Sequence, residues 1–552
     1  MGFIPSALIF FAALSPAEIK LQSLYLMQQN KIDESIDRYR EYVDTTGKQD
    51  FEMLQQMGLS LLQHGIHEQE HAPFLMTLLG AGLSGSTAAL EILEKGIYHP
   101  DPQTQLLALH FIAAIEDDKS DEILLQAMSS DYLSTRMEAA FYLSQRKHPH
   151  AVGQIEGLMF RLPPVFRPYF PSLFALLGTD DATRSLKRLM EDAEVQVRIE
   201  SILQVARLGR DDFLPALRKR LTHSHVAELE ATVFACGALR DSVSTPKLKR
   251  HLSASADTVR IAAALAIAHI GDKSYIPNIQ ELAKQKNLFA IHALGEMGES
   301  EELLASLVKE SDFHVRINAT VALLQRRDSR CMPSLLEILI PDARDLAFNP
   351  LPSPGRTLSY LKAIPSAELR AQDPTIDLSY SLAIREHLLK EAIHLPEPTF
   401  LAIVKQLFAK QQNDLLPTTI ALLENLQTEE AKKLLREGAT NVSAPLLRGY
   451  CNLALFRLRE EGPFEEAIKK WVVQQKEVEL IRFRPILPWK FRLDQQEFSL
   501  SPEESSKLLI DSLVAIAARR DEKSISFLLS AIQLGNPINR YALMGLLMKA
   551  TE

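Results

Sequence analysis

Cysteine is scarce in this chain of 552 residues: Cys236, Cys331 and Cys451 lie far apart and are odd in number. No two form a CxxC pair or a metal-ligand spacing, so a disulfide framework and a cysteine-ligated metal are excluded, and each reads as a small buried residue of a helix. Glycine is low at 22 residues. No glycine-rich phosphate loop, dinucleotide fingerprint or GxSxG elbow is found. Long hydrophobic runs are missing as well. The uncharged stretch Phe3 to Leu14 is too short for a membrane span of about 20 residues, and no other segment comes closer. Positive charge is not in excess: the net charge of -9 argues against a protein whose main task is to coat nucleic acid.

What is present describes a folded, helical chain. Hydrophobic residues make up 46% and charged residues 24%, the balance of an ordered protein. Abundant leucine and alanine favour helix over strand. The length fits three or four globular domains or one long repeat array. Residues 1–17 form an apolar, signal-like segment, because Phe3 to Leu14 is followed by Ser15-Pro16-Ala17, a small-residue cleavage pattern. The usual preceding Lys or Arg is missing. Export to the periplasm follows if the segment acts as a signal, a cytoplasmic location otherwise; its alternative structural reading is a buried first helix.

A fixed period decides the fold. Arg136, Arg167 and Arg198 stand 31 residues apart, Arg260 lies 62 further on, and Arg316 resumes the pattern after one short unit. The intervening step, Leu229, has lost its Arg. Eleven residues after the anchors come Gly178, Gly209 and Gly271; Gly85 shares the grid, and Gly298 holds the place in the short unit. Nineteen residues after them comes an unbroken aliphatic series: Leu93, Leu124, Ile155, Leu186, Leu217, Leu248 and Ile279, rejoined by Leu335. In the Arg260 unit, Ala263, Ala264, Ile267 and Ala268 form one face of a helix. Gly271 suits the left-handed position that ends it. Asp272 then opens a second helix that carries Ile276, Ile279 and Leu282. Each unit is therefore two short antiparallel helices. Neither buries its apolar face alone, so units must stack into an all-α superhelix with a long concave surface.

The pattern of an acidic residue, Val-Arg, a small-residue helix, Gly and a Leu-rich helix resembles the short HEAT-like repeats first named from bilin lyases. Asp192 with Val197-Arg198, Asp257 with Val259-Arg260 and Asp312 with Val315-Arg316 carry the likeness. It implies an α-solenoid and leaves function open, since this repeat serves scaffolds, lyases and other enzymes alike. Some HEAT-like proteins are di-iron hydroxylases with several His-Glu dipeptides. Only His67-Glu68 occurs here, which sets that activity aside.

Along the chain, residues 18–72 read as a weakly TPR-like N-terminal helical cap, and residues 73–340 as HEAT-like repeats. Residues 341–376, with Pro341, Pro350, Pro352, Pro354, Pro365 and Pro374, read as an irregular insertion or linker. Residues 377–552 read as degenerate helical repeats that continue the solenoid, interrupted at Arg482 to Pro502.

Four sets of residues are candidates for function. The anchor arginines read as structural, pairing with the preceding Asp or nearby carbonyls. Lys187 and Arg188, Arg218 and Lys219, and Lys249 and Arg250 follow three successive anchors at one spacing. They predict a basic ridge on second helices about 10 Å apart, suited to an acidic protein partner; the alternative is a solvated face. Nucleic-acid binding by the ridge is disfavoured because no aromatics interleave it. Trp489, Phe491 and Arg492 form a third set, of the residue types common at interface hot spots. Finally, His67-Glu68-Gln69-Glu70-His71 spells the H-E-x-x-H of zinc hydrolases, with Glu91 or Glu94 as further ligand. Against it stand a charged x position, Gly65 and the helix-ending Pro73. The expectation is a scaffold without catalytic residues or cofactor, binding a protein partner on its surface.

Overall fold

The computed structural model describes residues 14–68, 70–340, 345–373, 376, 378–481 and 504–552. Among these, the chain forms 31 α-helices and a single antiparallel ribbon of two strands, an all-α superhelical repeat fold. It divides into two compact units, Met1–Leu143 with Glu461–Glu552, and Ser144–Glu460. Among the described residues, no helix is long and apolar enough to cross a membrane.

The period in the sequence maps onto a repeated geometry. Leu93, Leu124, Ile155, Leu186, Leu217, Leu248, Ile279 and Leu335 are all at most 1% exposed. The position eleven residues after each anchor is a left-handed turn. Gly85, Gly178, Gly209 and Gly271 have φ between 65° and 116°. Where glycine is missing the conformation persists: Lys147, Arg240 and Arg327 take φ of 54°, 52° and 59°. In the short unit Glu299, and not Gly298, adopts it, with φ 68°. A left-handed residue reverses the chain between the paired helices, and the units keep this turn even at the steric cost of a side chain.

In the second unit, the first helices Val195–Arg207, Val226–Ala238, Asp257–Ile270, Leu288–Ala293 and Phe313–Gln325 pack on one another in succession. The second helices Leu214–Arg220, Thr245–His251, Ile276–Lys284, Glu301–Leu307 and Met332–Leu339 pack back onto them. Two of the anchor arginines, Arg198 and Arg316, tie the turn before their helix to an acid further along the chain. Arg198 Nη1 donates to the carbonyls of Asp192 at 2.8 Å and Ala193 at 2.9 Å, and its Nη2 reaches Glu228 at 2.8 Å. Arg316 repeats this with the carbonyl of Glu310 at 2.9 Å and the carboxylate of Glu337 at 3.0 Å. Glu228 stands next to Leu229, where the anchor is lost. It is fully buried and also accepts from Arg220, which is 5% exposed. Burial raises the Glu228 pKa, but hydrogen bonding and charge from Arg198, with His223 and Arg220, hold it below the ordinary carboxylate value.

The proline-rich segment, expected to be irregular, is ordered over its described residues. Strands β1 (Leu346–Pro352) and β2 (Ser359–Pro365) pair antiparallel, with Pro350 opposite Leu361. The Leu361 N–H and C=O both turn away to Asn318, at 2.7 and 2.8 Å. Pro350 therefore faces a position where the ladder needs no donor, which is where a strand accepts proline. Pro341 and Pro374 lie outside the described residues.

In the first unit, helices Pro16–Gln28, Ile32–Thr46 and Phe51–Gly65 make up the expected N-terminal region, with Met27, Ile36, Leu54, Met57 and Leu61 fully buried. The region is not a free cap. The C-terminal helix Arg540–Thr551 packs on Phe51–Gly65 and on His71–Ser84. A Cβ added at Gly545 would stand 1.9 Å from the Gly80 carbonyl oxygen, so the two helices cross backbone to backbone. Residues 377–552 thus do not form one continuation of the repeats: the part up to Glu460 belongs with the central units, and Glu461–Glu552 packs with the N-terminal helices. The physical reason is that Arg540–Thr551 is apolar nearly all round, with Ala542, Met544, Leu546 and Leu547 fully buried, and needs cover on more than one side.

Two sets of variants test this account by chemical denaturation. Gly209→Ala meets no atom within 4 Å and is expected to cost about 1 kcal/mol from the left-handed backbone alone. Gly545→Ala adds a backbone clash and is expected to cost about 2–3 kcal/mol; equal effects would contradict the close crossing. Glu228→Gln removes the buried acid between Arg198 and Arg220 and is expected to cost about 3 kcal/mol. Because the folded pKa is lowered, the Glu228 contribution is complete above the unfolded carboxylate pKa and is lost as pH falls through the folded value. The wild type should therefore lose more stability than the Gln variant on acidification; parallel pH profiles would refute the assignment.

Candidate protein-binding surfaces

The second helices carry the six cations of the expected ridge, and most have partners within the chain. Lys187 Nζ lies 3.7 Å from Asp212 and 5.2 Å from the centre of the Phe213 ring. Arg218 holds Asp241 through Nε at 2.8 Å and Nη2 at 2.6 Å. Lys249 Nζ lies 3.0 Å from Asp272 and 5.5 Å from the Tyr275 ring centre. In each case the acid sits on the turn that opens the second helix of the next unit. Arg188 pairs backwards with Glu156 and donates to Ser185 Oγ at 2.9 Å. The electrostatics follow: Arg218 holds Asp241 well below the ordinary carboxylate value, and Ser274 together with Lys249 brings Asp272 down to about 2. Lys219 and Arg250 are exposed. The ridge is thus a series of staples between units with two outward cations. Trp489, Phe491 and Arg492 lie outside the described residues.

The layer of first helices holds something the sequence did not suggest. The β1–β2 ribbon lies on it, and the segment between the strands, Ser353 to Leu358, ends on two glutamates. Glu230, fully buried, accepts from Ser353 Oγ, from the Gly355 N–H at 3.2 Å and from Thr357 Oγ1 at 2.6 Å. Glu200, 7% exposed, takes Arg356 Nη1 at 3.0 Å. Further along, the Asn318 amide pairs with both backbone groups of Leu361. The His314 ring nitrogen Nε2 lies 3.2 Å from the Ala363 carbonyl oxygen, and Phe289 meets Tyr360 edge-on at 5.0 Å. Glu200, Glu230 and Asn318 are the residues that sequence reasoning missed. Their signal was a polar residue inside first helices whose pattern otherwise asks for small apolar ones.

The H-E-x-x-H letters do not form a zinc helix. The helix Phe51–Gly65 ends before them and the next begins at His71, so His67 and His71 stand on separate elements. Pro73 does not end a helix; it sits in the first turn of one, where its missing N–H costs nothing. Glu68, the would-be base, lies 3.6 Å from His64 and accepts from the Tyr541 hydroxyl at 3.4 Å. Burial, then Glu68, push the Tyr541 phenol up to about 12. Glu91 pairs with Lys119 at 2.9 Å. His71 instead joins His99 and Asp101, whose ligand atoms lie within 4.8 Å of one another. Each is already engaged: Asp101 caps the helix Pro102–Ala114, the His99 Nδ1 accepts the Asp101 N–H at 3.1 Å, and His71 Nε2 lies 3.1 Å from Thr104 Oγ1.

Comparison with known proteins agrees with this architecture. Residues 182–268 match the model of HEAT repeats, and residues 259–285 that of the PBS lyase HEAT-like repeat. No curated protein matches the chain. Among solved structures, the complex of CpcE and CpcF of phycocyanin lyase from Nostoc sp. PCC7120 is similar at 20% identity, over 39% of this chain and 92% of that one, with a TM-score of 0.30. Kap121p bound to Ste12p is similar at 14% identity, over 97% of this chain and 65% of that one, with a TM-score of 0.38. Human deoxyhypusine hydroxylase with glycerol is similar at 15% identity, over 46% and 98% of the two chains, with a TM-score of 0.20. Scores this low carry no argument about what the chain does.

With the two histidines on separate elements, His67→Ala is expected to leave the zinc content of the purified protein unchanged by mass spectrometry of metals. Stoichiometric zinc that this variant loses would reinstate the motif.

Proposed function

We propose that the chain is a non-catalytic scaffold that holds a protein partner on its solenoid surface. The observation that carries this reading is the way the first helices hold the ribbon: Asn318 pairs with both backbone groups of Leu361. Such pairing recognises an extended backbone whatever its side chains, which is how a surface takes up a polypeptide segment. Repeat units also stack into an extended surface, which suits a macromolecular partner better than a small substrate.

The second-helix layer is a further contact surface in this reading. Lys219 and Arg250 are its outward cations. Lys187, Arg188, Arg218 and Lys249 would have to exchange their own acids for those of a partner. An acidic protein segment fits this arrangement, and Trp489, Phe491 and Arg492 remain candidate anchors.

The test is affinity capture from the native cell with the intact chain and with the Lys219→Glu, Arg250→Glu double variant, followed by measured affinities for whatever is bound. A protein partner held by the intact chain and about tenfold more weakly by the variant is expected, since reversed rim charges act against an acidic surface. A partner held equally by both would move the contact off this layer. Saturable binding of nucleic acid alone, with the steep salt dependence of phosphate contacts, would overturn the scaffold reading.

A further inference from the structure

The ribbon is held in two different ways along its length. Its base is apolar: Ala347 and Phe348 are at most 1% exposed, the helix Ser379–Ala392 packs on β1, and the Phe348 N–H donates to Ser381 Oγ at 2.9 Å. Its tip is polar. Ser353, Gly355 and Thr357 meet Glu230, and Arg356 meets Glu200. Lasting contacts are more apolar than those that open and close. Buried charges are a poor way to make a permanent contact, because desolvation offsets much of their attraction. Polar groups are suited to a surface that water must satisfy whenever it is uncovered.

The charges in the notch are unevenly matched. Glu200 faces two cations, Arg356 at 3.0 Å and Arg207 at 3.7 Å, while the three donors to Glu230 are two hydroxyls and a backbone N–H. A cation brought to Glu230 would supply what the tip lacks. The notch also demands close backbone approach. A Cβ at Gly355 would lie 2.7 Å from the Ala227 carbonyl oxygen and from Glu230 Cδ.

Resting on the scaffold reading, we infer that the notch formed by Glu200 and Glu230 is a binding site for an extended, basic, hydroxyl-bearing segment of a protein partner, and that Ser353 to Thr357 occupies it in cis until that segment displaces it. The tethered tip acts at high effective concentration. A partner therefore binds at its intrinsic affinity reduced by the fraction of time the notch stands open.

A fluorescein-labelled synthetic peptide with the sequence of residues 350–361 serves as the probe, titrated against the full chain by anisotropy. The Gly355→Ala, Arg356→Ala variant releases the tip and is expected to bind the peptide at least about tenfold more tightly than the wild type. Adding Glu200→Gln and Glu230→Gln to it is expected to abolish that binding. Equal binding to wild type and released variant, or none to either, with unchanged circular dichroism, would mean that the tip is a permanent strap. Native-state hydrogen exchange of the wild type is a second reading that needs no variant to fold. The amides of residues 355–358 are expected to exchange well ahead of those of residues 346–348, and equal rates would overturn the inference. The scaffold reading fails only if capture returns nucleic acid alone, whereas this inference fails on the peptide titration and the exchange rates, so the two failures are distinguishable.

Discussion

A pair of short helices cannot bury its own apolar face, and every other feature of this chain depends on that deficit. The aliphatic residue nineteen positions after each anchor is the point where neighbouring units meet, and it is buried in every unit described. For that residue to arrive at the interface, the chain must reverse at a set place. The left-handed turn therefore recurs whether the residue is Gly209 or Arg327. Stacking gains more than the few kilocalories per mole that a strained turn costs. The same deficit governs the ends of the chain. The helix Arg540–Thr551 has no polar side to give to solvent, and it finds cover between helices from the N-terminal region.

Polar contacts adjust what the apolar period lays down. Arg198 and Arg316 tie the turn before their helix to an acid beyond it. Where the anchor is lost at Leu229, Glu228 takes charge from two arginines instead. Along the second helices, Lys187, Arg218 and Lys249 each reach the acid that opens the next second helix. A lysine or arginine at that position has a partner from its own chain at short range, and the pair neutralises much of the field that an isolated row of cations would project. The two layers of the central repeats consequently differ in chemistry. The second-helix layer is largely self-neutralised, with Lys219 and Arg250 outermost. The first-helix layer has buried carboxylates and an amide turned toward an extended piece of backbone.

That difference shapes how such a surface can work. Asn318 reads backbone, so it sets register without specifying sequence. Glu200 and Glu230 take charge and donors, so in the proposed reading they discriminate between segments. A chain that already satisfies these groups in cis imposes a threshold on any partner, which must outcompete a tethered neighbour. Repeats fix the shape on which this happens, and the residues that depart from the repeat pattern give the surface its selectivity.

The sequence by itself determined the period, the two-helix unit, the left-handed turn and the aliphatic seam, because all four are local patterns imposed by helix geometry and close packing. It also pointed to Arg198 and Arg316 as structural, and both hold carbonyls of the turn before their helix. Contacts between distant segments were decided by tertiary structure alone. Asp212, Asp241 and Asp272 were visible as letters, but only stacking brings them to Lys187, Arg218 and Lys249. Six prolines argued for irregular chain, yet a two-stranded ribbon leaves part of its backbone off the ladder, and Asn318 satisfies the Leu361 groups opposite Pro350. His67 and His71 spelled a motif whose chemistry needs one helix, but one helix ends at Gly65 before His67 and the next starts at His71. Glu230 and Ser353 stand more than a hundred residues apart, and no local rule joins a carboxylate in a helix to a hydroxyl that far along the chain.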